Sequence, residues 1–496
     1  MLSILVGHSY FLRFDAKQFD RAKPYPPLAT LQVADQLREH GHAVAVFDAM
    51  LAEGPQDFEA SLSAARPQLV LLYEDNYNFL TKMCLGKMRQ ACCEMVAHAK
   101  RSGMRVIVAG SDASDAPLPY LQAGADVVLR GEGLAALATL VERLDSGQLK
   151  DAVSWIDEVD GTVALADGAL VHGKSGQVVT LHPANKAKHE EHPLQAPAAW
   201  DLVYMAGYRA MWREAHGYFS LNMAASKGCS FRCAWCAKPI WGNRYQQRAP
   251  EAVAAEMIHL KQQHAPDHIW FADDIFGFRT EWVERFADAL EAAGGGVPFM
   301  IQTRADLITP AMAPALARAG CREVWLGAES GSQQVLDAMN KGTTVEEIRT
   351  ARNRLGAEGI RVGFFIQLGY LGEGLDELMA TRQLIETAKP DEIGVSVSYP
   401  LPGTAFHEQV SAQLGEKTHW DDSADLAMMF KGSFGTEFYR SFRDLLHAQV
   451  DLAKLKNKAG ASERRALQQR WLDLLGSSRA HAQQQPAQRL GSLAGV

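Results

Sequence analysis

The chain has 496 residues, more than one hydrophobic core usually organises, so its length favours two or three domains. Hydrophobic residues make up 47% of the sequence and charged residues 22%, which is typical of a soluble globular protein. The net charge of −8 and the lack of a Lys- or Arg-rich stretch argue against nucleic acid as an obligatory partner, because phosphate backbones are bound by clustered cations.

The first residues are apolar but lack the basic segment and the cleavage site of a signal peptide, so a first β-strand is predicted there. No run of 18 or more apolar residues occurs, and we therefore expect no membrane span. Three of the seven cysteines fall within eight residues. A chain of this kind is typical of a reducing cytoplasm, where clustered cysteines indicate a bound metal.

Short apolar segments alternate with amphipathic ones over residues 1–149. This alternation predicts a Rossmann-like, doubly wound parallel sheet that binds its ligand at the carboxyl ends of its strands. The turn residues at these ends are the candidate ligand contacts: Tyr73, Asn76, Gly110, Ser111, Asp112, Gly131, Glu132 and Gly133.

The alternation stops at residues 150–215, where a polar, Pro- and His-bearing stretch predicts a linker after a small β element. It resumes over 216–405 with six strand–helix units, which predict an open, partial (β/α) barrel. Active residues of such barrels lie at the carboxyl ends of the strands. Residues 406–496 are predicted to be helical and to end in a disordered tail rich in Ala and Gln.

Cys229, Cys233 and Cys236 follow the first strand of the predicted barrel. Thiolates at this spacing can wrap a loop around a metal cluster. A structural zinc site is the alternative, but it needs a fourth ligand and usually a second Cys-x-x-Cys pair, which does not follow here. Three thiolates on a 4Fe–4S cluster leave one iron open for chemistry. The remaining cysteines are expected to be buried apolar side chains: Cys84, Cys92, Cys93 and Cys321.

The cysteine motif, with Trp235 before its last cysteine, resembles that of the radical S-adenosylmethionine (SAM) superfamily. The segments FADDIF, TRADLI, GCREVWLGAESGSQQVLDAMNKGTT and YPLPGT extend the resemblance to the subgroup with an N-terminal cobalamin (B12)-binding domain of flavodoxin-like fold. This subgroup contains class B methyltransferases and the anaerobic magnesium-protoporphyrin monomethyl ester cyclases. The resemblance covers residues 1–405.

The resemblance implies that SAM binds the open iron and that polar residues at the later strand ends contact it. These residues are Asp273, Asp274, Arg304, Glu329, Ser330, Gln367 and Tyr399, and Trp235 of the cysteine motif is a further expected cofactor contact. Structural roles are the alternatives. The two aspartates could cap the next helix or bind Arg279, and Arg304 could pair with Glu329.

Cobalamin is implied by the N-terminal part of the resemblance, with one departure. Many such domains carry an Asp-x-His-x-x-Gly motif whose histidine binds cobalt, and this string is missing from the sequence. The corresponding loop has only His8 at its start, and the turn that begins at Gly110 differs from the Gly-Gly-Pro-His pattern. Either cobalamin binds without a protein imidazole or the domain has lost it.

The implied reaction is reductive cleavage of SAM followed by cobalamin-dependent methylation of an unactivated carbon. Its partners would be a small-molecule substrate and an electron donor such as flavodoxin or ferredoxin. Oxidative cyclisation, as in the anaerobic cyclase, is one alternative, and a non-catalytic cobalamin or redox sensor is another. Residues 420–435 could line a substrate pocket through Trp420, Met428, Met429 and Phe430, or pack against the side of the barrel.

Overall fold

The computed structural model describes residues 1–78, 86–147, 151–174, 191–192, 198–238, 240–415, 426–455 and 460–482. These residues form a seven-stranded, a three-stranded and a six-stranded sheet, with helices packed on the two larger ones. The predicted α/β class is confirmed. No helix of the described ranges combines the length and apolar character needed to cross a membrane.

The N-terminal sheet has the order β2-β1-β3-β4-β5-β6-β7, and its first five strands are parallel. The order 2-1-3-4-5 is that of flavodoxin-like folds, as expected from the resemblance. The hairpin of β6 and β7 extends the sheet antiparallel to β5. The strands are β1 Ser3–Gly7, β2 Ala43–Phe47, β3 Leu69–Tyr73, β4 Arg105–Ala109, β5 Val127–Leu129, β6 Thr162–Ala166 and β7 Ala169–His172.

Helices cover both faces of this sheet, which is why its central strands are apolar at successive positions. Along β4, for example, Ile107 packs into the core on one face and Val108 into the core on the other. The helices are α1 Ala16–Arg21, α2 Leu28–Glu39, α3 Gln56–Ala65, α4 Gly86–Arg101, α5 Ser111–Asp115, α6 Leu118–Gln122, α7 Leu134–Asp145 and α8 Ala152–Ile156.

The six-stranded sheet is parallel throughout and has the order β9-β12-β13-β14-β15-β16, so it is the predicted open barrel. Its strands are β9 Ser220–Met223, β12 His268–Phe271, β13 Phe299–Thr303, β14 Cys321–Glu329, β15 Arg361–Leu368 and β16 Glu392–Val397. The helices are α9 Met205–His216, α10 Pro250–His264, α11 Thr280–Ala292, α12 Met312–Ala319, α13 Gln333–Ala338, α14 Val345–Ala357 and α15 Leu375–Ala388.

The first barrel strand differs from the prediction. The cysteines were expected to follow this strand directly, but the chain turns after Met223 and forms a separate strand, β10 (Ser226–Gly228), before it reaches Cys229. β10 pairs antiparallel with β11 (Tyr245–Arg248), which in turn pairs with β8 (Glu191–His192). The turn is held by Asp273, whose carboxylate accepts hydrogen bonds from the Ala225 amide and the Ser226 hydroxyl.

The C-terminal region is helical where it is described, with α16 Ala405–Leu414, α17 Thr436–Lys454 and α18 Ala461–Ala482. Met429 and Phe430 are buried in a small core with Phe406, so they support the packing interpretation. Trp420, Cys84 and the predicted disordered tail from 483 onward lie outside the described residues. Cys92 and Cys321 are buried as expected, whereas Cys93 is partly exposed.

The N-terminal part of the chain contacts the barrel through residues 24–26. The Trp212 indole N–H donates to the Pro24 carbonyl over 2.7 Å, and the Asn222 side chain donates to the Pro26 carbonyl over 3.0 Å. Between them, the Tyr25 hydroxyl lies 3.2 Å from the Ser220 hydroxyl. Residues 24–26 therefore lie along β9, the first strand of the barrel.

Candidate active site

The cysteine loop leaves β10 at Gly228, whose φ of +73° is a left-handed conformation that glycine adopts without strain. A Cβ here would also collide with the Arg244 carbonyl. Two backbone hydrogen bonds anchor Ala234 in the middle of the loop, one to Met339 over 2.8 Å and one from Phe406 over 3.0 Å. The loop is thus fixed from both sides by later parts of the chain.

The three cysteines of the loop are free and partly buried. Burial raises the pKa of Cys229 and Cys236, the latter to about 12, and the nearby Lys238 ammonium opposes both shifts. Binding as thiolates would therefore release protons and depend on the metal. Lys238 itself is held by the Phe231 carbonyl and by Asn243, over 2.8 Å in the latter case.

Among the described residues, no three His, Cys, Asp or Glu side chains converge closely enough to hold a single metal ion. A tetrahedral zinc site requires such convergence, with sulfur about 2.3 Å from the metal. In a 4Fe–4S cluster each cysteine binds a different iron, and the ligands stand further apart. Binding of a cluster by the three thiols stays a prediction from the cysteine spacing.

The two aspartates after β12 occupy different environments. Asp273 is fully buried, and burial raises its pKa to about 7 against the opposing hydrogen bonds from Ser226 and Ala225. Asp274 is partly exposed, and its charge contributes to the raised pKa of Cys229 and Cys236. Asp273 therefore fixes the turn between β9 and β10, and Asp274 is the aspartate that lies near the cysteines. The alternative of a helix cap does not hold for Asp273.

Arg304, at the end of β13, is buried and forms an ion pair with Asp306, with 2.9 Å between Nε and Oδ1. The alternative pairing of Arg304 with Glu329 is wrong. Glu329 instead pairs with Lys341, with 2.8 Å between Oε1 and Nζ, and both side chains are 6% exposed. Asp306 is only two residues from Arg304 in the sequence, so its carboxylate lies within reach of the guanidinium.

Glu329 ends β14 with a φ of +59°, a left-handed conformation that is uncommon for a residue with a side chain. The pairing register between β14 and β15 shifts at this point, between Gly327 and Glu329. A Cβ at Gly327 would lie 2.6 Å from the Lys341 ammonium. The strand end is thus shaped around the buried pair of Glu329 and Lys341.

The remaining expected cofactor contacts, three at strand ends and Trp235 in the cysteine motif, have mixed surroundings. Ser330 is buried, and its hydroxyl lies 3.1 Å from that of Thr381 inside the fold. Gln367 is buried, and its Oε1 lacks a hydrogen-bond partner among the described residues. Tyr399 and Trp235 are partly buried and pack against the same small core. Contacts of these four residues with a cofactor stay predictions.

A further acid that the sequence did not single out, Glu373, follows β15. It is fully buried and accepts a hydrogen bond from the Gly369 amide, while its Oε1 lacks a partner in the described part of the chain. Burial raises its pKa to about 8. Glu373 is therefore a neutral acid in most of the neutral pH range.

At the carboxyl edge of the N-terminal sheet, Ser111 follows β4 and Asn76 follows β3. Both are buried, and Ser111 Oγ and Asn76 Oδ1 are without hydrogen-bond partners among the described residues. Asp112 is engaged instead by Arg89, over 2.6 Å, and by the Tyr120 hydroxyl. Of the predicted contacts at this turn, Ser111 is thus the side chain whose hydroxyl has no hydrogen-bond partner within the described residues.

The turn after β5 contacts the cysteine loop. Gly131 has a φ of +68°, and its amide donates to Ser114 over 2.9 Å. The next residue, Glu132, forms a short ion pair with Lys227, two residues before the first cysteine. The carboxyl edge of the N-terminal sheet therefore faces the mouth of the barrel.

His8 lies at the same edge but is fully buried. Its Nε2 is 3.0 Å from Asp48 Oδ1 and the same distance from the Ala49 amide. The Tyr208 hydroxyl also donates to Asp48, over 2.6 Å. His8 is thus held at one ring nitrogen by its own domain, while its Nδ1 lacks a partner in the described residues.

Sequence reasoning missed four polar residues that surround the cysteine loop. Two of them flank the cysteine motif, which was an available signal, and the other two lie in the loop after α13, which the sequence alone does not bring near. They are Lys227, Lys238, Asn340 and Lys341.

Comparison with known proteins identifies the class. Residues 223–385 match the radical SAM superfamily, so this part of the chain is a radical SAM domain. An uncharacterised methyltransferase of Pyrococcus horikoshii is 25% identical over 293 residues, which are 58% of this chain and 58% of that protein. The anaerobic magnesium-protoporphyrin IX monomethyl ester cyclase of Rubrivivax gelatinosus is 24% identical over 59% of this chain and 49% of its own length. The chain thus spans about half the length of these relatives.

Two solved structures share the fold over most of the chain. The cobalamin-dependent SAM radical enzyme OxsB, with aqua-cobalamin bound, has a TM-score of 0.67 and 16% identity over 97% of this chain and 71% of its own. The radical SAM methyltransferase TsrM of Kitasatospora setae has a TM-score of 0.63 and 18% identity over 84% of this chain and 77% of its own. The resemblance predicted from the sequence is confirmed: the chain combines a radical SAM domain with the fold of these cobalamin-dependent enzymes.

Proposed function

We propose that the chain is a cobalamin-dependent radical SAM methyltransferase. The cluster would be held by Cys229, Cys233 and Cys236, and the cobalamin by the carboxyl edge of the N-terminal sheet. The observation that carries the proposal is the ion pair of Glu132 and Lys227, because it ties the carboxyl edge of the N-terminal sheet to the strand that leads into the cysteine loop. With both groups bound, reductive cleavage of SAM would supply a radical able to activate an inert carbon, and cobalamin would supply the methyl group.

The residues at both sites suit such ligands. Orphaned buried polar atoms cost about 1–3 kcal/mol each, so each is expected to find a partner, either an ordered water or a bound ligand. At the N-terminal edge these atoms are Asn76 Oδ1 and Ser111 Oγ, which could bind the amide groups of a corrin ring or its nucleotide tail. At the barrel they are Gln367 Oε1 and Ser398 Oγ, which suit the polar groups of SAM.

The chain's own contribution to the reaction would be positioning and exclusion of water. The backbone hydrogen bonds of Ala234, donated to the Met339 carbonyl and accepted from the Phe406 amide, hold the cysteine loop in place before any ligand arrives. The facing domain, tied by Glu132, would cover the barrel mouth, and an enclosed site protects a reactive radical from quenching.

The test is anaerobic reconstitution with iron, sulfide and cobalamin, followed by metal counts and assay of 5′-deoxyadenosine after reduction with SAM present. We expect about four iron atoms and one cobalt atom per chain, together with release of 5′-deoxyadenosine. Cys236→Ala should lose both the iron and the product, whereas Cys321→Ala, a buried cysteine away from the loop, should retain them. Equal behaviour of the two variants would contradict the proposal.

Cyclisation is a second candidate, because the Synechocystis anaerobic cyclase is 22% identical over 80% of this chain and 76% of its own length. A product that has gained a methyl group would support methylation, and one that has gained oxygen or lost hydrogen would support cyclisation. The non-catalytic sensor would release no 5′-deoxyadenosine. The small-molecule substrate, the flavodoxin or ferredoxin donor and the cytoplasmic location stay predictions.

A further inference from the structure

The guanidinium of Arg304 lies against one cysteine of the loop. Its Nη1 is 3.8 Å from Cys233 Sγ, which is within hydrogen-bonding range for sulfur. The ring of Phe231, in the same loop, stacks on the guanidinium with 3.7 Å between Cζ and the ring centroid. Arg304 therefore contacts the cysteine loop both through an N–H group and through its flat face.

The orientation of Arg304 is fixed by its other bonds. Nε and Nη2 donate to the two carboxylate oxygens of Asp306 over 2.9 and 3.1 Å, and Nη2 also donates to the Lys341 carbonyl over 2.7 Å. The side chain is buried, so it has no room to swing into solvent. Nη1 is consequently directed at Cys233 by the fold itself, before any cluster is present.

The charges around this contact cancel in pairs. Arg304 pairs with Asp306, and Lys341 pairs with Glu329. Because each cation has its own anion, the electrostatic effect of Arg304 on Cys233 is short-ranged. It comes mainly from the Nη1–H group that is directed at the sulfur. Hydrogen bonds to cysteine sulfur are one of the factors that set the reduction potential of iron–sulfur clusters.

We propose that Arg304 tunes the cluster through Cys233, by donating a hydrogen bond that favours the reduced state. This inference rests on the proposed function. In the step concerned, a low-potential donor gives one electron to the cluster and no bond forms or breaks. The added negative charge spreads onto the thiolate sulfurs, and a charged N–H donor stabilises it. Arg304 thus acts on the cluster through Cys233 and does not need to contact SAM.

The experiment is a redox titration of the reconstituted protein, followed by the electron paramagnetic resonance signal of the reduced cluster. In Arg304→Gln we expect the equilibrium constant for reduction to fall about tenfold, which is about 59 mV more negative for one electron. Arg304→Lys keeps a charge but lacks the planar fork, so its midpoint should fall between the two. Arg354→Gln is the matched control, because Arg354 donates to the Ile308 carbonyl over 2.6 Å and not to a cysteine.

An Arg304→Gln midpoint equal to that of wild type, with the iron content unchanged, would overturn the inference. Should this variant fail to retain iron, wild-type protein made with ¹⁵N-arginine decides the matter. A ¹⁵N coupling to the reduced cluster in electron nuclear double resonance supports the contact, and its absence refutes it. If wild type itself holds no four-iron cluster, the proposed function fails, which the iron count reports separately.

Discussion

The buried acid Glu373 gives the most quantitative prediction. Its carboxylate is fully enclosed, with one oxygen bonded to the Gly369 amide and the other without a partner among the described residues. Burial raises its pKa from 4.5 to about 8. The native state therefore holds this proton more tightly than the unfolded state, and the resulting stability is present at low pH and lost as the pH rises through about 8.

The size of this loss follows from the pKa. From pH 6 to about pH 8 the native state binds one more proton than the unfolded state, and above pH 8 this difference disappears. These two pH units correspond to a loss of roughly 3 kcal/mol of unfolding free energy. Glu373→Gln keeps the shape and an acceptor for the Gly369 amide but carries no titrating proton. Between pH 6 and pH 9 its unfolding free energy should therefore fall by about 3 kcal/mol less than that of wild type.

The assay is anaerobic urea unfolding of reconstituted protein at pH 6 and pH 9, followed by tryptophan fluorescence. Glu386→Gln is the matched control, since Glu386 is exposed on α15, the helix that begins two residues after Glu373, and its loss should leave the wild-type pH dependence in place. An identical pH dependence in wild type and Glu373→Gln would refute the reasoning, because it would mean that Glu373 titrates alike in the folded and unfolded chain.

Three other perturbations have expected outcomes. Lys341→Met leaves Glu329 buried without its partner and should lower the free energy of unfolding by about 3–5 kcal/mol in urea unfolding, whereas a loss below about 1 kcal/mol would contradict the buried pair. A double-mutant cycle of Lys227→Met and Glu132→Gln should give a coupling energy of about 1 kcal/mol in the same assay, and additive effects would argue against the interdomain ion pair. Ser111→Ala should weaken cobalamin binding about tenfold in a spectroscopic titration, through loss of one hydrogen bond, and an unchanged affinity would exclude Ser111 from the site.

Local sequence periodicity predicted the parallel strands of the two larger sheets, apart from the end of the first barrel strand. The alternation of apolar and amphipathic segments follows from burial on both faces of parallel sheets, and this pattern is visible without knowledge of tertiary contacts. The carboxyl ends of the strands then located the candidate ligands Asp274 and Gln367, as parallel topology requires.

Interactions between distant parts of the chain were not predictable in this way. The break between β9 and β10 depends on the carboxylate of Asp273, nearly 50 residues downstream of Ser226. The partner of Glu329 is Lys341, beyond a helix and a turn, and the sequence offered Arg304 as an equally suitable cation. Charge type alone does not select between such partners, because the choice is made by the geometry of the strand ends.

Residues 24–26 have a consequence beyond joining the two parts of the chain. The Tyr25 hydroxyl lies 3.2 Å from that of Ser220 on β9, and the Tyr25 ring packs 4.8 Å from the ring of Trp270 on β12. The segment therefore covers one face of the first two barrel strands, and Trp270 is only partly buried even with this cover. Removal of the segment would expose these aromatic and apolar side chains, and large exposed apolar patches promote aggregation. A radical SAM fragment cut away from its N-terminal part would accordingly be prone to aggregate.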